Sequence, residues 1–199
     1  MTKNLLPTNF LKHTSKNPIQ KFLINNFYST LISLVKPLNP TTVLDAGCGE
    51  GFTMDKLIKS GIGRKIEGIE YMKEALIFGK KLFPHLTIKQ GSVYELPYKD
   101  NSFDLIVCTE VLEHLEEPAK ALKEMLRVSK KHLIISVPNE PLFMISNFLR
   151  GKNLSRLGND AGHINHWNPL SLKKYLTQNK VKIKKISFPF PWITILGEK

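Results

Sequence analysis

The chain has 199 residues, a net charge of +12 and two cysteines. That length suits one compact domain and excludes two catalytic ones, and a hydride-transfer enzyme with a separate substrate domain would need more chain. Two cysteines exclude a disulfide framework and metal-ligand spacing, so Cys48 and Cys108 read as free thiols of a reducing compartment. There is no cationic start followed by an apolar run and no uncharged stretch long enough to span a bilayer, so the expectation is a cytoplasmic protein. The positive charge suits nucleic acid, an anionic membrane or an acidic substrate. It equally suits a lysine-rich proteome, because the lysines are spread over the whole chain.

Residues 1–16 are polar, lack periodicity and read as a flexible, fraying end. Asn17-Pro18 then gives an N-cap with proline in the first helical turn, and Phe22, Leu23, Phe27, Leu31, Leu34 and Val35 recur at helical spacing as far as Pro37. Val43 and Leu44 end a buried strand. After them Gly47, Gly49 and Gly51 form a turn that must bend sharply and leave room for a ligand. Position 52 is Phe52, so this is not the dinucleotide fingerprint G-x-G-x-x-G. Met54, Leu57 and Ile58 predict a helix that stops at Ser60-Gly61, which makes strand, glycine turn and helix the first half of a Rossmann-like unit.

Residues 65–70 read as the second strand, with Glu70 at its carboxyl end. An acid about twenty residues past a glycine turn can accept hydrogen bonds from both ribose hydroxyls of a nucleoside. Ala75, Leu76 and Leu82 mark a helix before Pro84, and residues 86–90 a third strand. After the turn at Asn101-Ser102, residues 103–108 form the near-continuous apolar run of a central parallel strand. Residues 109–115 follow at the strand end where such sheets bind ligands. Pro118 opens a helix carrying Leu122, Met125 and Leu126, and residues 132–137 form a fifth strand stopped by Pro138. Residues 139–162 hold an apolar patch from Leu142 to Leu149, then Arg150, Lys152 and Arg156 among glycines and asparagines, and read either as a lid or as a surface helix with a loop. Asn168-Pro169 caps a last helix with Leu172, Tyr175 and Leu176. Residues 181–187 and 192–197 are the closing pair of strands.

The ordered set is D-x-G-x-G-x-G over 45–51, the acid Glu70, F-D-L-I-V over 103–107, E-V-L-E-H-L over 110–115, and the apolar strand beyond. Over most of the chain it closely resembles the class I S-adenosylmethionine (SAM)-dependent methyltransferases of the type 11-like group. The resemblance implies a single domain over 1–199 of the α/β class. Its fold would be a Rossmann-like doubly wound sheet of about seven strands, mostly parallel with an antiparallel last strand, and helices on both faces. It also implies SAM as cofactor and S-adenosylhomocysteine as product. Asp45, the backbone at Gly47 and Gly49, and Thr109 would hold the methionine half, with Cys48 and Gly51 in the same turn. Glu70, Ser92 and Val93 would hold the adenosine half, with Tyr71 and Met72 against the adenine. Similar enzymes usually carry aspartate where Ser92 stands. A serine accepts without charge, so the Val93 backbone is the firmer expected adenine contact.

Methyl transfer from a sulfonium is an in-line displacement in which the protein aligns the partners and removes a proton when the acceptor needs it. His114, His163 and His166 are the candidate bases, because His114 follows strand four, the pair follows the lid after strand five, and those strands are neighbours in a doubly wound sheet. Glu110, Glu113 and His114 have E-x-x-E-H spacing, which on one helical turn brings the three side chains together. With His163 they resemble the metal-binding set of small-RNA 2′-O-methyltransferases and, more loosely, quinone O-methyltransferases. The same E-V-L-E-H-L is common in SAM methyltransferases that use no metal, where its histidine is a wall of the cleft. The expectation is O-methylation of a small-molecule or lipid-linked acceptor, with peripheral membrane contact compatible with the charge. One alternative is an RNA methyltransferase assisted by a divalent metal. The other is a non-catalytic SAM-binding regulatory or partner subunit, against which Asp45, Glu70 and the histidines speak.

Overall fold

The structure is a computed structural model that describes residues 8–149, 151, 153–160 and 162–199. Its strands are β1 (Thr42–Ala46), β2 (Lys65–Glu70), β3 (Thr87–Gln90), β4 (Phe103–Thr109), β5 (Ser129–Pro138), β6 (Lys182–Ser187) and β7 (Trp192–Glu198). They form one sheet in the order β3-β2-β1-β4-β5-β7-β6. The pairings from β3 across to β5 are parallel, and β7 runs antiparallel to both β5 and β6. This is the mostly parallel, doubly wound sheet that the sequence implies. Central position explains the composition: β1 and β4 are covered on both faces and read TVLDA and FDLIVCT, whereas edge strand β6 reads KIKKIS and keeps lysines in water.

Helices cover both faces. One apolar layer packs residues of α2 (Pro18–Val35), α3 (Phe52–Lys59) and α4 (Lys73–Leu82) against Val43, Leu105 and Ile134. The other packs α5 (Pro118–Val128) and α7 (Pro169–Gln178) against Leu44, Ile106 and Ile135. The capping residues act as their sequence suggests. The Asn17 side chain accepts from the backbone N–H of Ile19 at 2.9 Å, and Asn168 forms a reciprocal capping box with Ser171. Strand order reverses between β1 and β4, and the carboxyl ends of these two strands are where sheets of this kind form a ligand crevice.

Two segments differ from the expectations, and a third, 139–162, contains a helix and a short turn. Residues 1–7 lie outside the described residues, but Thr8–His13 form a short helix, α1, where a fraying end was expected. Aromatic docking holds it down: Phe10 meets Phe78 of α4 edge-on at 5.1 Å, and His13 stacks on Phe52 at 4.3 Å. Strand β5 starts at Ser129 rather than at 132, because Ser129 already pairs with Phe103. Residues 139–162 contain α6 (Glu140–Leu149) and a 3-10 turn over Leu154–Arg156. Arg150 and Lys152, noted in the sequence, lie outside the described residues.

Candidate active site

The glycine turn joins β1 to α3. Gly47, Gly49 and Gly51 have φ of +82°, +55° and +94°, a region L side chains rarely adopt, so glycine is required by backbone shape alone. Packing adds to this, since a Cβ at Gly47 would lie 2.5 Å from Val111 and one at Gly51 2.6 Å from Leu86. Ligand room was the expected reason for these glycines, and the protein's own side chains are a second one. The N–H groups of Gly47 and Cys48 both donate to the Ile69 carbonyl, at 2.9 and 3.0 Å, which ties the turn to the end of β2.

Glu70 completes that tie. One of its carboxylate oxygens accepts from the Gly49 N–H at 2.8 Å and the other from the Met72 N–H at 2.7 Å. Each oxygen keeps acceptor capacity for a ligand. Tyr71 and Met72 stand exposed immediately after it. The Ser92 hydroxyl accepts from the Tyr94 N–H at 3.1 Å within its own turn, and Val93 beside it is buried. Thr109 ends β4 across the crevice. Asp45 is buried and neither carboxylate oxygen has a hydrogen-bond partner among the described residues; burial, then the Glu70 charge, push its pKa up to about 7. A buried acid without a partner is costly, and one at a crevice wall is suited to meet a cationic ligand group.

Helix α1 lies across this turn. Asn9 sits beside Gly49 and hydrogen-bonds the Glu50 side chain. Lys12 reaches further, its Nζ 3.1 Å from a Glu110 carboxylate oxygen and 4.8 Å above the centre of the Trp192 ring. No periodicity in the sequence points to Lys12.

On the other side, the chain after β4 and the stretch before α7 are bonded together. Ile164 and Asn165 donate their N–H groups to the Glu113 carbonyl at 2.9 and 3.0 Å. The Asn165 amide donates to the carbonyls of Leu112 and Leu115 at 3.1 and 2.6 Å. This register sets His114 against His163, with ring centres 5.0 Å apart. His114 Nδ1 donates to the Gly162 carbonyl at 2.8 Å. His163 Nδ1 is 2.5 Å from a carboxylate oxygen of Glu140, whose other oxygen is 3.8 Å from His166 Nδ1. All three predicted histidines thus converge, with an acid between two of them that the sequence reading missed. In the neutral rings of His114 and His163 these bonds place the proton on Nδ1 and leave Nε2 an open acceptor. Burial pulls the His163 pKa down, but the hydrogen bond and charge of Glu140 outweigh it and the net direction is up.

The expected metal set is only partly assembled. Glu113, His114 and His163 offer ligand atoms within 4.8 Å of one another. Glu113 is buried with neither carboxylate oxygen hydrogen-bonded; burial, then the neighbouring Glu110, raise its pKa well above the ordinary carboxylate range. Glu110 itself is not in the group. The segment is a 3-10 turn over Leu112–His114 rather than an α-helical one, Glu110 has φ +60°, and its carboxylate is held by Lys12.

Comparison with known proteins bears on this geometry. Residues 44–135 match the methyltransferase domain family model. A probable SAM-dependent methyltransferase of Mycolicibacterium smegmatis is 33% identical over 103 residues, covering 51% of this chain and 39% of the relative. A demethylmenaquinone methyltransferase of Renibacterium salmoninarum is 32% identical over 103 residues, covering 51% of this chain and 43% of the relative. The matches thus span less than half the length of these curated relatives. Magnesium protoporphyrin IX methyltransferase from Synechocystis, solved with bound S-adenosylhomocysteine, shares the fold with a TM-score of 0.68 at 17% identity, over 96% of this chain and 91% of that one. By motif, sheet order and these matches, the chain is similar to the class I SAM-dependent methyltransferases, with residues 44–135 carrying the family match.

Proposed function

We propose that the protein transfers the methyl group of SAM to an oxygen of a small-molecule or lipid-linked acceptor, with His163 as the base. The observation that supports this reading is the Glu140–His163 pair at 2.5 Å, set beside His114, and we assign this cluster to the acceptor. The cofactor fits the residues present. SAM carries a sulfonium and an ammonium, and the crevice offers Asp45, Glu70, Glu110 and Glu113 around one cation, Lys12, among the residues described above. Glu70 meets the ribose hydroxyls, and Asp45, with no hydrogen-bond partner among the described residues, meets the methionine half. Bound SAM supplies an electrophilic methyl on a good leaving group. The chain's own work is to hold the acceptor in line and take its proton on His163 Nε2, while Glu140 fixes the ring by Nδ1 and offsets the charge that forms. The name of one relative, a demethylmenaquinone methyltransferase, fits a lipid-linked acceptor but not the choice of oxygen as the atom methylated. Two free thiols fit a reducing compartment.

A second reading has its own support in the convergence of Glu113, His114 and His163. A divalent ion held by the Glu113 carboxylate and the two Nε2 atoms would acidify an acceptor hydroxyl, the chemistry expected of metal-assisted 2′-O-methylation of RNA. One experiment separates the two. Labelled SAM is incubated with the protein and with cell extract fractionated into RNA, lipid and small molecules, with and without chelator. Chelator-insensitive label in the lipid or small-molecule fraction is the expected result. Label in RNA that chelator removes and added metal restores would replace the first reading by the second. No label in any fraction, with SAM still bound, would favour a non-catalytic SAM-binding subunit.

A further inference from the structure

Helix α6 is amphipathic in the unusual sense. Its buried residues are Glu140 and Asn147, seven apart and so on one face. Glu140 bonds His163, and the Asn147 amide donates to the Gly158 carbonyl at 3.1 Å. The opposite face carries Leu142, Ile145, Phe148 and Leu149, which are 42%, 56%, 45% and 79% exposed. A surface helix ordinarily turns its apolar stripe inward, so this one presents to the outside what the core should have taken. Beyond it Leu154 and Leu157 are also exposed, with exposed Arg156 between them. From 141 to 159 the sequence holds three cations, Arg150, Lys152 and Arg156, and no acid, within a chain of net charge +12.

We propose that this face docks on the surface of an anionic lipid bilayer, with the apolar side chains of α6 at the boundary of headgroups and acyl chains and exposed Arg156 drawn to the headgroups. Ten residues of helix are too short to cross a bilayer, and among the described residues no helix is long and apolar enough to do so, so the contact is peripheral. An RNA surface would ask for cations on the outer face of the helix, and α6 itself has none. Glu140 opens α6 and holds His163, so docking brings the acceptor end of the crevice to the lipid, and the acceptor class becomes a membrane-resident molecule with its reactive hydroxyl at headgroup level. That last step rests on the methyl transfer proposed above, while docking does not.

The test is sedimentation of the full chain with vesicles of phosphatidylcholine, alone or mixed with phosphatidylglycerol, with SAM binding measured by calorimetry on the same preparation. Binding to the mixed vesicles should exceed binding to the neutral ones and weaken as salt rises. Ile145→Glu with Phe148→Glu, both at exposed positions, should lower vesicle affinity roughly tenfold or more. Circular dichroism and SAM affinity should match the parent, and Arg156→Glu should lower anionic binding by a smaller factor. No binding to anionic vesicles, or equal binding by the double variant, would overturn the proposal. So would RNA binding by the parent that the double variant loses, or a dimer in sedimentation velocity that it dissolves, since either assigns the face to another occupant. SAM binding without vesicle binding sinks docking alone, and vesicle binding without SAM binding sinks the methyl transfer reading alone.

Discussion

On the cofactor side of the crevice, the decisive bonds join backbone to backbone or backbone to one carboxylate: Gly47 and Cys48 to Ile69, Gly49 and Met72 to Glu70. On the proposed acceptor side, side chains reach across the sequence to another side chain or to a backbone carbonyl. His163 reaches Glu140, His114 reaches Gly162, and Lys12 reaches Glu110 across 98 positions. The first side is specified by a local motif and one strand register, and tolerates only the conformations that glycine permits. The second is assembled from four separate stretches of chain, and its chemistry can change with any one of them. A shared cofactor and varied acceptors ask for this division, with a fixed half and a replaceable half on the same sheet.

The sharpest way to separate the halves is His163→Ala. Turnover should fall by about 10²–10⁴-fold while SAM affinity stays at the parent value. A fall in both together would mean that the two sides are not independent. Next in size is Glu70→Ala, which should weaken SAM binding by about 1–3 kcal/mol in calorimetry. Unchanged affinity would remove the ribose assignment. Glu140→Gln should act through pH. His163 has its pKa raised by Glu140 against the opposing pull of burial, so neutralising residue 140 lowers that pKa. A base works only unprotonated, and the acid limb of the turnover profile should therefore move to lower pH. An unmoved limb would deny His163 the role of base.

The smallest effects should come from α1. The His13 pKa is lowered to about 3 by burial, then by the charges of Lys12 and Lys56. Its folded value lies below the unfolded 6.5, so its contribution to the docked helix is complete above about pH 6.5 and is lost as pH falls from there toward 3. Amide protection over residues 8–13, corrected for the intrinsic exchange rate at each pH, should fall across that interval. Protection that does not change with pH would show that α1 is held by other contacts.

Much of this was legible beforehand, for a physical reason. Strands β2 and β4 were placed to within about a residue, while the end of β1 was put two residues short of Ala46; β4 shows because a central strand buried on both faces is largely apolar, and β1 because a glycine turn follows it. Ser129 was missed as a strand residue because a serine and two lysines mask the end of β5 that projects past the apolar run. Lys12 carries no local signal, since its partner lies in another part of the chain. Glu140 did leave a trace: it is the one acid in an apolar stretch directly past strand five. The E-x-x-E-H argument failed at Glu110 because spacing converts to proximity only on a regular helix, and here the backbone turns left-handed before the 3-10 turn begins.

Glu140 belongs to two structures at once, as the first residue of α6 and as the partner of His163 Nδ1. A tilt of one short helix by about an ångström at its first turn is enough to lengthen that hydrogen bond out of its strong range. Pressing α6 into a fixed attitude would shorten the list of conformations in which the bond is broken, and the proton affinity of the base would then report whether the helix is seated. If docking and the base assignment both hold, the expected outcome is interfacial activation: turnover per bound molecule should be faster on vesicles than on the same acceptor dispersed in water, and Glu140→Gln should erase the difference.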